Sequence, residues 1–300
     1  MEEKKIVLGS GMVTLDQLQK FADDTVSEEY VGGTLGNIMM IMAHYGWHAM
    51  PVTRLDVSVD SEKMVDDMKA SGMDLRYVIR EEGGKTPVIF QRNYIKRDGS
   101  KGKSIGAPEG RSRFIPFSAI TKKTAKTIIE ELNEVPDVLV FDRAYPAYID
   151  LAKHFKEKGA LVYFEPEGIS PVNQKNVEKL IALSDVVKYS GKRIKDTTQF
   201  EKYTDTLFIE TRSEEGLRFR LQGTWHAVAA PELPGEFMDE EGAGDWTSAT
   251  FIHLLTAHGV RHIADLSADD CAALLAQAQK KGAENCCCEG ARGLMRSKHD

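Results

Sequence analysis

Residues 138–189, VLVFDRAYPAYIDLAKHFKEKGALVYFEPEGISPVNQKNVEKLIALSDVVKY, decide the fold class. Apolar and β-branched runs at 138–141, 160–164 and 185–189 are separated by stretches with helical spacing at 148–158 and 172–183. Strict alternation of strand and helix is the mark of βαβ units, and it predicts an α/β domain: a mainly parallel sheet with helices on both faces. Runs of the same kind occur upstream at 6–8 and downstream at 207–210. Ligands of such sheets bind beyond the carboxyl ends of the strands, so chemistry is to be sought in the residues that follow each run.

Between about 74 and 114 the alternation stops. Segments 75–79 and 86–94 read as extended strands, and the Gly/Lys/Ser-rich passage 98–106 as turns and hairpin. The expectation is a small β lid at 74–114 inserted into an α/β core of 1–73 and 115–300, with an ordinary surface hairpin as the alternative. Composition fits one large globular unit: 300 residues, 42% hydrophobic and 28% charged, which excludes a disordered or fibrous chain. With 39 Lys and Arg against 46 Asp and Glu, a formal charge of −7, there is no general attraction to phosphate backbones, and nucleic acid is not an expected partner.

No window approaches the roughly 18 apolar residues that cross a bilayer. The start, Met1-Glu2-Glu3-Lys4-Lys5, leads into an apolar stretch too short for a signal peptide. The expectation is a cytoplasmic protein with no membrane partner. Cys271 and the adjacent Cys286, Cys287 and Cys288 lack the paired spacing of a zinc site and read as reduced packing residues.

The sharpest local feature is Glu241-Gly242-Ala243-Gly244-Asp245, followed by Phe251, Ile252, Leu254 and Leu255 at helical spacing and a stop at Gly259. The glycines fall at a helix N-terminus, where the first backbone N–H groups have no partner in the helix and are open to an anion. Asp245 then has two readings. It is a helix cap, or a base taking the proton of a hydroxyl that attacks a phosphoryl group while the amides carry the developing charge.

Gly32-Gly33-Thr34-Leu35-Gly36-Asn37 opens an apolar helix over 38–45, and Asn37 can both donate to and accept from a polyol. A glycine turn before a core helix is its structural reading. Asp16, five residues after Gly11, is expected just past the end of the first strand, either binding ligand hydroxyls or solvated. Neither a dinucleotide fingerprint nor a phosphate-binding P-loop motif occurs. His44 and His48 flank Gly46 without a third ligand, so metal binding is not expected there. Ser267 with Asp270 reads as a capping box.

Taken in order, Gly11 and Asp16, Gly32-Gly33 with Asn37, an early β excursion and a late Gly242-Ala243-Gly244-Asp245 resemble the PfkB/ribokinase-like carbohydrate kinases over residues 5 to 295. The resemblance implies a ribokinase-like, doubly wound fold with a small β lid, ATP as phosphoryl donor with Mg²⁺, and a sugar or similar alcohol as acceptor. It implies Asp245 as the catalytic base, Gly242, Ala243 and Gly244 as the anion hole, and Asp16, Gly33 and Asn37 as acceptor contacts. Thr211 and Gly216 match the ends of the family's T-x-G-x-x-G nucleotide loop, and Gly290-Ala291-Arg292-Gly293 looks like the segment beside the adenine. A homodimer through the lid is a further implication.

The chain also departs from the family pattern. Glu240 stands where the family has threonine, and with Glu241 it adds negative charge that either recruits a cation, a monovalent one included, or repels ATP. Ser190-Gly191-Lys192-Arg193 occupies the place of N-x-x-E, which makes Lys192 and Arg193 candidates for gripping phosphate directly. Ser213 replaces a loop glycine, and Glu165-Pro166-Glu167 replaces D-x-N. The expected activity is transfer of the γ-phosphoryl group of ATP to a hydroxyl of a sugar-like molecule. The alternative is a non-catalytic sugar- or nucleotide-binding protein of the same fold.

Overall fold

Successive residues of a strand face opposite sides of a sheet, so the run Val138-Leu139-Val140-Phe141 feeds two cores at once. Val138 and Val140 pack in one apolar cluster with Val7, Leu35 and Trp246, while Leu139 and Phe141 pack in another with Leu8, Leu151 and Phe208. The computed structural model describes residues 4–108 and 116–296. Its strands are β1 (Ile6–Ser10), β2 (Thr14–Gln19), β3 (Glu28–Gly32), β4 (His48–Leu55), β5 (Val78–Arg80), β6 (Val88–Ile95), β7 (Lys101–Gly106), β8 (Val138–Phe141), β9 (Leu161–Phe164), β10 (Val186–Ser190), β11 (Leu207–Thr211), β12 (Leu217–Leu221) and β13 (Thr224–Val228). Its helices are α1 (Gly33–His44), α2 (Val59–Ala70), α3 (Lys122–Glu131), α4 (Pro146–Lys156), α5 (Gln174–Ile181), α6 (Ala243–Ala257), α7 (Ala268–Asn285) and α8 (Gly293–Arg296).

The large sheet runs β13-β12-β11-β10-β9-β8-β1-β4-β5 and is parallel except for the hairpin β12–β13 at one edge. Helices α1, α2, α6 and α7 cover one face through Leu35, Met64, Phe251 and Leu275, and α3, α4 and α5 cover the other through Ile128, Leu151 and Leu180. This is the doubly wound α/β architecture expected from the alternation. β1 sits between β4 and β8, and the chain leaves it toward both sides, so the crevice above its carboxyl end is the topological switch point. Among the described residues no helix is long and apolar enough to cross a membrane.

A second sheet of four strands, β3-β2-β6-β7, stands over that crevice. Its composition differs from the inserted unit expected at 74–114. β2 and β3 come from upstream, with Leu15 to Gln19 pairing in parallel with Val88 to Arg92, whereas β5 extends the large sheet beside β4. The physical reason is that β2 and β6 meet only through long-range pairing, which local patterning does not display. The expected boundary at 114/115 lies outside the described residues.

Candidate active site

The α6 N-terminus begins at Gly242, whose φ of +76° is the left-handed region that glycine tolerates. A Cβ there would lie 2.6 Å from the Ala291 Cα, so the turn also needs glycine for close passage of the late Gly290–Gly293 segment. The amides of Gly242, Gly244 and Asp245 meet no acceptor among the described residues, and that of Ala243 makes only a long bond of 3.3 Å to the Glu240 carbonyl. These open N–H groups, with the positive end of a fifteen-residue helix behind them, form a cradle for an anion. The Asp245 side chain caps nothing. It receives a hydrogen bond from Asn37 Nδ2 at 2.7 Å and borders a cavity of about 440 Å³.

Burial pushes the Asp245 carboxyl well above the ordinary carboxylate range, and the nearby Glu165 charge adds to the push. The Asn37 hydrogen bond and the Lys188 ammonium oppose it. A more basic carboxylate beside an anion cradle is suited to collecting a proton.

Asp16, Gly33 and Asn37 line the same cavity. Asp16 lies within β2, in the lid sheet, and not just past β1 as expected; the chain turns directly from the first strand into the lid. Its carboxylate presses on Gly32, where a Cβ would stand 1.8 Å from Oδ2, so this glycine makes room for the acid. Thr14 donates to Asp16 Oδ1 at 2.5 Å, and burial raises the Asp16 carboxyl to about 7. Among the described residues Asn37 Oδ1 is buried without a hydrogen-bond partner. An orphaned acceptor beside a carboxyl is the polar pattern that a ligand hydroxyl satisfies.

Sequence reasoning missed Lys188 and Lys103 on the opposite walls, and with them the partner of Glu165. Lys188, in the middle of β10, is 3% exposed; its ammonium meets Glu165 Oε1 at 2.5 Å, and Ser248 of α6 donates to Glu165 Oε2 at 2.6 Å. The signal was a lysine inside an otherwise apolar parallel strand. From the lid, Lys103 reaches Glu241 Oε2 at 2.9 Å, Glu240 Oε1 at 3.5 Å and Asp239 Oδ1 at 3.6 Å. The acidic run that crowds the cradle is thus met by a lid cation.

The nucleotide candidates are spread more widely. Thr211 and Arg193 border the cavity, and Arg193 is paired at 3.5 Å with Glu167. Gly216 (φ +89°) closes the turn after β11, with Ser213 at φ +56° where the resemblance has glycine. Gly216 and the exposed Lys192 lie outside the cavity lining. A second cavity of about 300 Å³ adjoins through Pro166 and Glu167. Among the described residues no group of three His, Cys, Asp or Glu side chains is arranged to hold a metal ion. At 190–193 Arg193 offers a guanidinium in place of a carboxylate, so that position does not fit a resident Mg²⁺.

Solved structures give the wider comparison. A ribokinase from Giardia lamblia aligns with a TM-score of 0.70 at 13% identity over 96% of both chains. The fold is ribokinase-like. A Burkholderia thailandensis nucleoside kinase in complex with inosine aligns at 0.68 and 15% identity, covering 96% of this chain and 92% of that one. A Xylella fastidiosa fructokinase with bound ATP aligns at 0.66 and 16% identity, covering 96% and 94%. Neither a protein-family model nor a curated protein sequence matches the chain.

Proposed function

We propose that this protein is an ATP-dependent phosphotransferase that moves the γ-phosphoryl group to a hydroxyl of a sugar or sugar-like molecule. The observation that carries the reading is the pairing of Asp245 with the open amides of Gly242 and Gly244 in a single cavity at the switch point, beneath the lid. The ribokinase-like fold, shared with kinases of ribose, fructose and nucleosides, agrees with it.

The acceptor lies between Asp16, Gly33 and Asn37, with the reacting hydroxyl toward Asp245. As the oxygen–phosphorus bond forms, the hydroxyl proton passes to Asp245, and the charge gathering on the phosphoryl oxygens is met by the α6 amides. Asn37 fixes the Asp245 carboxylate and keeps its other amide atom for the acceptor. Thr211 and Arg193 flank the donor side. Magnesium, carried on the nucleotide phosphates, would supply further charge neutralisation; no residue at 190–193 is assigned to it.

The test is ADP release across a panel of sugars, polyols and nucleosides, followed by Asp245→Asn. The variant should lose about three orders of magnitude in kcat and keep ligand binding. Retained turnover overturns the assignment. Arg193 in the place of a family carboxylate favours the second reading, a non-catalytic binding protein. That reading predicts calorimetric heat with ATP or sugar and no ADP release from any acceptor.

A further inference from the structure

A lysine is almost never fully buried unless it is paired. Lys188 has one obvious partner, Glu165, yet an ammonium carries three donors, and Glu165 Oε1 is its single acceptor among the described residues. Nζ is 3.6 Å from where a Cβ on Gly244 would stand, and both residues border the cavity. Glu165 is held in turn by Ser248, one turn along α6, so strand β10, the loop after β9 and the helix fix the ammonium together.

We propose that Lys188 is a catalytic residue of this site. Its ammonium binds the γ-phosphoryl group against the amides of Gly244 and Asp245, and Glu165 holds it there. The proposal rests on the phosphotransferase reading and deepens it. The transferred group is bound from one side by helix amides and from the other by a fixed positive charge. That charge stays in place while the oxygen–phosphorus bond to ADP breaks and the bond to the acceptor forms. A water-excluded cation acts more strongly there than it would at the surface. The same charge lies near Asp245 and favours its ionised, proton-accepting form.

The experiment measures binding, so it does not wait on the acceptor. Calorimetry compares ADP with adenylyl imidodiphosphate, which carries a γ-phosphate mimic, on wild type, Lys188→Met and the double variant Lys188→Met/Glu165→Gln. The double variant removes both buried charges and keeps their volumes, so it serves if the single variant does not fold. Wild type should prefer the triphosphate analogue. The variants should lose about tenfold to hundredfold in affinity for the analogue, as expected for a charge-assisted hydrogen bond, with ADP affinity unchanged. An unaltered preference in the double variant overturns the role of Lys188 and leaves the kinase reading standing. Wild type binding neither nucleotide overturns both.

Discussion

The large sheet and the lid differ in how far polar contacts add to apolar ones. Between the sheet and its helices the contacts are apolar and dry: Phe208 is fully buried, stacked on Phe200 with ring centroids 4.9 Å apart. The lid shares part of that apolar core, since Leu15, Val31 and Val88 are buried in one cluster with Leu35 and Met39, and it adds polar and charged contacts around the cavity. Gln91 donates to Asp239 at 2.5 Å, Asn93 to Glu289 at 3.0 Å, Lys101 reaches Glu236 at 2.6 Å, and Lys103 faces the carboxylates of 239–241. Apolar burial is strong and non-directional, whereas ion pairs near the surface are weak, local and screened by salt. Apolar contacts therefore carry the stability of both regions, and the charged ones at Lys101 and Lys103 set how firmly the outer lid strands close on the cavity.

The comparison breaks most visibly in the core. Phe208→Ala should cost about 3–5 kcal/mol of global stability, read as a lower denaturant midpoint with an unchanged slope. A cost below about 1 kcal/mol would mean that this face of the sheet is not the rigid half of the molecule.

The lid should respond in function and hardly at all in stability. Burial alone would lower the Lys103 ammonium pKa, but Glu241, followed by Asp239 and Glu240, outweighs it and raises the net value, so the cation persists at every working pH. Lys103→Met should raise the acceptor KM about tenfold through a less firmly closed lid, while the unfolding free energy moves by less than about 1 kcal/mol. Added salt should weaken acceptor binding by wild type in the same direction and have less effect on the variant. Equal salt sensitivity in the two proteins would show that Lys103 does not fasten the lid.

This division also explains what the sequence made legible. The βαβ rhythm, the capping box in which Ser267 receives the Asp270 amide, and the glycine-led start of α6 are local, and each appears where the residues place it. The lid's upstream half was hidden because the pairing of Leu15 with Val88 spans more than seventy residues and leaves no periodic trace. Lys188 was hidden for a related reason, and Glu165 was noted only as a departure from D-x-N. Their meeting depends on β9 and β10 lying side by side. Asp16 was singled out as a site residue but placed on the wrong element, since an acid next to a strand end and an acid within a lid strand look alike in one dimension.

The smallest expected effect concerns Asp16, which joins the two regions by sitting in a lid strand with its carboxyl turned into the cavity. Burial raises this carboxyl from an ordinary 3.8 to about 7. Between those values the folded protein holds a proton that the unfolded chain has released, so this group makes stability fall as pH rises from about 4 to about 7, and below 4 it contributes no penalty. Asp16→Asn removes the ionisation while keeping the shape. It should leave the melting temperature at pH 3 nearly unchanged and raise it at pH 8 by roughly 2–6 °C, equivalent to about 1–2 kcal/mol once the solvent reaching the carboxyl is discounted. The other carboxyls raised by burial, Asp142 and Asp245, give slopes of the same sign, but they are present in both proteins and cancel in the difference. A variant melting in parallel with wild type at both pH values would mean that the Asp16 carboxyl is already ionised at neutral pH. The acceptor would then meet a charged acid at the lid, not a neutral one able to donate a hydrogen bond.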